Sequence, residues 1–420
     1  MIEWYYLVTA YEVRVNGICV KMHLLFTSVA SHYYERRDWR FPMKQNYIEA
    51  YIDELLEKST MDFPAWNIEK KRQNIKSDWN YIDGCMIKAI LEMYSITGKE
   101  KYRDFAESYI SYRVQEDGSI SGYNPEKFNI DDVNAGKTLF ELYDLTGKEK
   151  YRKAIDLIYS QVKRQPRTKE GNFWHKLIYL AQVWLDGLYM GQPFYMEYET
   201  RFNHKENYDD IFRQFFNVAE KCRDNETGLY YHAYDCSREM FWCNKETGLS
   251  QNFWLRALGW YAMALLDTLD KCDSSVCQEN YDKLTQIYID YMNSLKNFQD
   301  ESGMWWQVPN FPGRERNYLE TSGSAILSYA FLKGVRLGFL PEEFAVSGEK
   351  AFHGICDRYL TTEAGNMSLD GICLVAGLGG KERRDGTYDY YMSEPIVKDD
   401  AKGVGPFLLA YTEMLRRNAV

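Results

Sequence analysis

One carboxylate of this 420-residue chain lies in a segment that is otherwise built for burial. Asp186 stands within "QVWLDGLYMGQPF", residues 182–194, with Trp184 and Tyr189 close by. Apolar and aromatic surroundings disfavour the charged form of a carboxylic acid, so such a group can stay protonated near neutral pH and act as a general acid. The alternative is that Asp186 caps a helix or pairs with a core Arg or Tyr, and the segment alone leaves both interpretations open.

A polar stripe accompanies this aspartate. On a helical wheel of residues 175–190, a spacing of three to four residues brings together His175, Tyr179, Gln182, Asp186 and Met190. Most other positions of the segment are apolar. The pattern predicts one helix whose polar face lines either a water-filled cavity or a buried hydrogen-bond network.

General acid–base chemistry usually involves a second group. "FNIDDVNAGKTLFELY" offers Asp131 and Asp132 immediately before a predicted helix. A helix N-terminus favours an ionised carboxylate, which would complement a protonated Asp186. Asp is also a common helix N-cap, so each residue has a structural explanation as well.

Two further segments combine aromatic and charged side chains. His232 lies in "LYYHAYD", directly after a Gly loop, and Trp254, Arg256 and Trp260 lie in "FWLRALGWYAMALLD". An Arg flanked by Trp can pair with a carboxylate while the rings stack on a sugar face. Core packing of the Trp rings and a structural salt bridge for the Arg are the competing interpretation.

Repeats indicate the architecture that positions these residues. "TGKEKY" occurs at 97–102 and 146–151, each time between two apolar helical patterns, with Gly98 and Gly147 at predicted C-caps. An acidic stretch followed by Gly recurs every 53 to 75 residues, at Gly118, Gly171, Gly228, Gly303 and Gly365. Such periods predict stacked helical hairpins, about six of them from Met43 to the end. Six hairpins can close into a toroid, and an open solenoid is the competing architecture.

Composition excludes several classes of function. The net charge of −10 provides no general attraction for nucleic acid or an anionic membrane, and no apolar run is long enough to span a bilayer. Nine Cys without a C-x-x-C pair and six scattered His argue against a metal site and favour reduced thiols in the cytoplasm. Residues 1–42 lack a signal-peptide pattern, and we expect the compact domain to comprise residues 43–420.

Taken together, five segments resemble glycoside hydrolase family 105, the unsaturated rhamnogalacturonyl hydrolases, which are related to the unsaturated glucuronyl hydrolases. They are "IDDVNAGKTLFELYDLTG", "GNFWHKLIYLAQVWLDGLYMGQPF", "GLYYHAYD", "FWLRALGWYAMALLD" and "GMWWQVP" with "NYLETSGSAI". They occur in the family's order, from about residue 43 to the end. Ala257 stands where the family usually has Gly, which leaves subsite specificity open.

The resemblance implies an all-α (α/α)6 barrel that needs neither metal nor cofactor. Its substrate would be a small oligosaccharide with a 4,5-unsaturated galacturonyl residue at the non-reducing end. The implied reaction hydrates the C4=C5 double bond, after which the sugar opens and releases the adjacent rhamnose. No nucleic-acid or membrane partner is implied, and the chain would be a monomer or homodimer.

The same resemblance carries over site roles residue by residue. Asp186 matches the proposed general acid and base, and Asp131 is the better match for the second carboxylate, with Asp132 as the next candidate. His232, Trp254, Arg256 and Trp260 match substrate-binding positions. His175 and Trp184, which lie beside them, and Asp132 are also assigned to substrate binding. Arg256 would contact polar groups of the substrate, and the Trp rings would stack on the sugar.

Three alternatives stay open at this point. The chain could act on unsaturated glucuronyl groups, or it could be a sugar epimerase on the same barrel that uses His175 and His232 as acid and base. A carbohydrate-binding protein with an inactive site is the third. Replacing Asp186 by Asn distinguishes them, because only the hydrolase should lose turnover while retaining substrate binding.

Overall fold

A computed structural model of the protein describes residues 10–15, 18–23, 37–363 and 366–418. Contacts divide the chain into two units, residues 1–54 and 55–420. In the first unit, Ala10–Val15 and Ile18–His23 form an antiparallel hairpin. The helix predicted from Met43 begins earlier and spans Arg37–Glu57, across the boundary between the units. The division of the chain at Met43 stays a prediction.

Six helices of the second unit form a closed ring, in which each packs on the next and the last packs on the first. They are Tyr81–Thr97, Lys137–Thr146 with the 3₁₀ helix Ile130–Gly136 that leads into it, Leu185–Phe202, Leu255–Lys271, Thr321–Arg336 and Ala401–Asn418. Every residue from Thr321 to Gly334 is buried. A helix that is buried all round belongs to the interior, and the closed ring of contacts places the other five in the same layer, so these six form the inner wall.

Five of the inner helices are each followed by an outer helix that packs against it. The outer helices are Glu100–Ser111, Glu149–Arg164, Tyr208–Lys221, Gln278–Lys296 and Glu343–Tyr359. The second buries Tyr151, Ile155, Ile158 and Val162, three to four residues apart, on one face. The predicted (α/α)6 barrel is confirmed.

Short elements complete the described part of the chain. Three antiparallel strand pairs follow the terminal hairpin: Gln182–Trp184 with Ala233–Asp235, Leu360–Glu363 with Asn366–Leu369, and Ile372–Cys373 with Ile396–Val397. The remaining helical segments are Ile68–Gln73, Pro125–Lys127, Ser274–Val276 and Tyr388–Ser393. No helix in these ranges is long and apolar enough to cross a membrane.

The glycine turns among the described residues behave as the repeats predict, and Gly365 lies outside those residues. Gly98 and Gly147 are left-handed C-caps, with φ of 65° each, and donate to the carbonyls of Tyr94 and Tyr143. Gly118, Gly171, Gly228 and Gly303 also have positive φ. These four Gly loops precede inner helices, so they lie at the end of the barrel where the inner helices begin.

Candidate active site

Asp186 lies in the first turn of the inner helix Leu185–Phe202, directly after the strand Gln182–Trp184. The predicted continuous helix over residues 175–190 is therefore wrong. The strand pairs with Ala233–Asp235 instead of continuing the helix, and Ala181 turns the chain with a φ of 61°. Tertiary pairing thus satisfies backbone groups that a longer helix would have satisfied internally.

The strand pairing brings Asp186 to His232, two residues that the sequence places 46 positions apart. Trp184 lies opposite Ala233, and the Leu185 amide donates to the His232 carbonyl at 3.1 Å. His232 Nε2 then lies 3.2 Å from Asp186 Oδ2. Both atoms are buried and make no well-aligned hydrogen bond. Catalytic contacts are often poorly aligned before substrate binds, so this geometry is compatible with acid–base chemistry at Asp186.

The second predicted carboxylate, Asp131, forms its own cluster at the start of the 3₁₀ helix Ile130–Gly136. Lys176 Nζ lies 2.7 Å from Asp131 Oδ2, and His175 Nε2 lies 3.3 Å from Oδ1. The helix cap is neither aspartate but Asn129, whose side chain accepts from the Asp131 amide at 3.3 Å. The N-cap explanation of the two aspartates is therefore wrong.

Burial and charge give the cluster distinct protonation states. Burial opposes ionisation of Asp131, but Lys176 overcomes it and brings the pKa of Asp131 below its ordinary value. Burial and the neighbouring Asp131 raise the pKa of Asp132 to about 7. Burial lowers the pKa of His175 to about 4, so His175 is neutral at pH 7. The contact between His175 and Asp131 is therefore not an ion pair, and Lys176 alone supplies the positive charge.

Aromatic rings connect the two carboxylate clusters. Trp184 stacks on His175 with ring centroids 4.6 Å apart and on Tyr179 at 4.9 Å. The His232 ring meets Trp184 edge-on at 5.5 Å and Trp254 at 4.9 Å. Asp131 and Asp186 both influence the charge state of His175. The structure thus brings the predicted carboxylates, histidines and two tryptophans into one site.

Arg256 contacts Trp254, one of the aromatic rings of the site. Its side chain is buried, lies over the Trp254 ring at 4.8 Å, and donates to the Cys373 carbonyl and to Ser322 Oγ. Trp260 is also buried and stacks on Tyr189 at 4.8 Å. These contacts give both residues structural roles, and their contact with substrate stays a prediction.

Several site residues were missed by sequence reasoning. Lys176 directly follows His175, which was a usable signal, but Tyr391 gives none in the sequence. Its hydroxyl lies 2.8 Å from His232 Nδ1, although the two residues are 159 positions apart. Buried Lys402 pairs with Glu69 and Asp400, and the Glu69 carboxylate also interacts electrostatically with Arg256 and Lys176.

Other residues of the aromatic Gly loops have structural roles. Glu320 caps the helix Thr321–Arg336 by accepting from the Ser322 and Gly323 amides. Trp305 is buried and donates to the Leu295 carbonyl at 2.8 Å. Within the described ranges, no group of three or more His, Cys, Asp or Glu could hold a metal ion.

Comparison with known proteins agrees with this geometry. The sequence model of Glycosyl Hydrolase Family 88 matches residues 51–418. A solved glycoside hydrolase of Family 105 from C. acetobutylicum ATCC 824 is 45% identical, covers 82% of this chain and 96% of its own, and has a TM-score of 0.78. The chain belongs to glycoside hydrolase family 105. The resemblance drawn from the sequence motifs is thereby confirmed.

Other relatives of this family 105 chain are more distant or shorter. Protein Atu3128 of Agrobacterium fabrum is 41% identical over 234 residues, which are 54% of this chain and 98% of that protein. The unsaturated rhamnogalacturonyl hydrolase YesR of Bacillus subtilis is 26% identical over 277 residues, which are 64% of this chain and 75% of YesR. Family membership supports a glycoside hydrolase that acts on unsaturated uronides.

Proposed function

We propose that the protein hydrolyses unsaturated rhamnogalacturonan oligosaccharides by hydrating the C4=C5 double bond of the terminal 4,5-unsaturated galacturonyl residue. The observation that carries this proposal is the position of the Asp186 carboxyl group at the start of an inner helix, 3.2 Å from His232. The His232 ring in turn contacts the Trp184 and Trp254 rings. The similarity to YesR supports the choice of substrate.

In the proposed reaction Asp186 acts twice. As an acid it gives its proton to C4, and the π electrons of the double bond form the new C4–H bond. The cation that develops at C5 is shared with the ring oxygen and is attacked by water, whose proton returns to Asp186. The product is a hemiketal at C5. Opening of the ring leaves a hemiacetal at C1, which releases the neighbouring sugar as an alcohol.

Asp131 is suited to the electrostatic part of this reaction. Because Lys176 keeps the carboxylate ionised, Asp131 provides a fixed negative charge at the site while positive charge develops on the sugar. Asp132, with a pKa of about 7, does not hold a permanent charge at neutral pH. We therefore assign the second catalytic role to Asp131 and a supporting role to Asp132.

Substrate binding falls to the remaining groups. The Trp184 and Trp254 rings keep their predicted role of stacking on the sugar, and His175 and His232 keep their predicted places beside it. Arg256 keeps its predicted role toward polar groups of the substrate, and Trp260 keeps its predicted role of stacking on the sugar. A cytoplasmic location and a monomeric or homodimeric state stay predictions from the sequence.

The experiment follows the ultraviolet absorbance of the conjugated double bond in lyase-generated unsaturated rhamnogalacturonan disaccharide. Wild type should remove the absorbance, and Asp186→Asn should lose turnover by at least about 10²-fold while it still binds the sugar. Asp282→Asn, which neutralises an exposed carboxylate on an outer helix, is the matched control and should keep full activity.

Three other outcomes would change the assignment. Turnover of unsaturated glucuronyl disaccharides but not of the rhamnogalacturonan disaccharide would replace the substrate class. A wild type that leaves every double bond intact would contradict the proposal, and a saturated sugar epimerised in a reaction that depends on His175 and His232 would establish the isomerase.

A further inference from the structure

The His232 ring makes polar contacts on both of its nitrogens. Nδ1 lies 2.8 Å from the hydroxyl of Tyr391, and Nε2 lies 3.2 Å from Asp186 Oδ2. Tyr391 belongs to the short helix Tyr388–Ser393, and both Tyr391 and His232 are fully buried. The three side chains therefore form a continuous chain from Tyr391 through the imidazole to the carboxyl group.

The direction of the first hydrogen bond follows from burial. Burial raises the pKa of Tyr391 well above its ordinary value, so the phenol keeps its proton. Within the described residues, His232 Nδ1 is the one hydrogen-bond partner of this hydroxyl. A buried O–H that failed to donate would cost about 1–3 kcal/mol in lost hydrogen bonding, so the hydroxyl donates and Nδ1 accepts.

A neutral imidazole that accepts at Nδ1 must carry its proton on Nε2. That nitrogen lies 3.2 Å from Asp186 Oδ2, and neither atom makes a well-aligned hydrogen bond with any of the residues described. A protonated Nε2 this close to Oδ2 disfavours a second proton on that oxygen. The acidic proton of Asp186 then belongs on Oδ1, the other oxygen of the carboxyl group.

We propose that Tyr391 is a positioning residue that donates to His232 Nδ1, holds the imidazole proton on Nε2, and so reserves Oδ1 of Asp186 for the transferable proton. The rings around His232 keep it in place. Trp254 lies 4.9 Å from His232 and stacks on Tyr391 at 6.2 Å, with an interplanar angle of 16°. A ring flip of His232 would break the contacts of both nitrogens.

The catalytic consequence rests on the proposed function, but the tautomer does not. Imidazole tautomers are distinguished by nitrogen–proton correlation spectra of protein labelled with ¹⁵N-histidine. The chain has six His, and loss of one signal in His232→Gln assigns this ring. In wild type at neutral pH, we expect an unprotonated Nδ1 and a protonated Nε2.

The decisive comparison removes the carboxylate. In Asp186→Asn the Nε2–H tautomer should persist, because Tyr391 alone determines it. In the double variant Asp186→Asn with Tyr391→Phe this preference should disappear, since neither neighbour then selects a tautomer. Protonation of Nδ1 in wild type, or an unchanged tautomer in the double variant, would overturn the proposal whatever the substrate proves to be.

Kinetics test the role in turnover. Tyr391→Phe should lower kcat by about tenfold to a hundredfold and change KM little. This is a part of the roughly 10²–10⁴-fold that a positioned proton-transfer group contributes to the rate. Tyr288→Phe is the matched control, because it also removes a buried hydroxyl that makes one hydrogen bond, 2.7 Å from the Ala330 carbonyl. Equal kcat values for the two variants would contradict a positioning role.

Discussion

Replacing Lys176 by Met tests the electrostatic design of the site most directly. Lys176 Nζ lies 2.7 Å from Asp131 Oδ2, and the side chains of Lys176 and Asp131 are 25% and 12% exposed. At an effective dielectric constant of about 20, unit charges at this separation attract by ~6 kcal/mol. Desolvation offsets much of this attraction, but losing one partner of a buried pair still costs about 3–5 kcal/mol. Because Lys176 is partly solvated, we expect a loss of about 2–3 kcal/mol at neutral pH.

The pH dependence gives this prediction its sign. The pKa of Asp131 is lowered in the folded protein, so the pair contributes fully at neutral pH, and its contribution is lost as the pH falls through that lowered value. Without Lys176, burial raises the pKa of Asp131 above its ordinary value. The variant then loses stability as the pH rises through the ordinary range of Asp, about 4, and upward. The difference from wild type should be largest near pH 7.5, smaller near pH 4, and lost only below the lowered pKa of Asp131.

Urea denaturation at several pH values measures the effect. Lys76→Met is the matched control, since Lys76 and Asp62 are also 2.7 Å apart but the Lys76 side chain is 68% exposed. That exposed pair should show little change at any pH. If Lys176→Met lost no more stability than Lys76→Met, or lost the same amount at all pH values, the assigned charge state of Asp131 would be refuted.

Three other predictions follow from the structure. At pH values above 7, Asp132→Asn should raise the melting temperature, and near pH 4 it should leave the melting temperature unchanged. The reason is that a pKa of about 7 makes ionisation of Asp132 costly in the folded state. An equal shift of the melting temperature at both pH values would contradict this. Glu320→Gln should lower the free energy of unfolding by about 2–3 kcal/mol in urea denaturation, since the carboxylate accepts from the Ser322 hydroxyl and three backbone amides. A loss of only ~0.5 kcal/mol would show that these hydrogen bonds contribute little to stability. Gly303→Ala should destabilise the protein by at least ~2 kcal/mol more than Gly338→Ala. Both glycines have positive φ, but only at position 303 would the new methyl group meet a backbone oxygen, the Lys350 carbonyl at 2.3 Å. Equal losses in the two variants would exclude this steric clash as the cause.

Local signals in the sequence were sufficient for the helical hairpins and their turns. The glycine turns at Gly98 and Gly147 require a left-handed residue with no side chain, which is a property of the chain itself. Apolar spacing of three to four residues likewise determines which face of the helix Glu149–Arg164 is buried. Such features depend on neighbours within one or two turns.

The helix predicted over residues 175–190 shows where local signals were misleading. His175, Tyr179 and Asp186 do share one site, but not through a helical stripe. His175 and Tyr179 stack on Trp184, which precedes Asp186 by two residues. Periodicity was correct about the grouping and wrong about the backbone, because the partner strand Ala233–Asp235 competes for the same backbone groups. No pattern within the segment itself encodes that competition.

The sequence by itself determined the helical hairpins, the glycine turns and the candidates Asp186, Asp131 and His232, because each rests on residue type and short-range spacing. Only the tertiary structure decided the protonation of the site. Lys176 sets the charge of Asp131, and Tyr391 reaches His232 across 159 positions of chain. Electrostatic fields and hydrogen bonds depend on distances of a few ångströms in space, and those distances exist only once the barrel has closed.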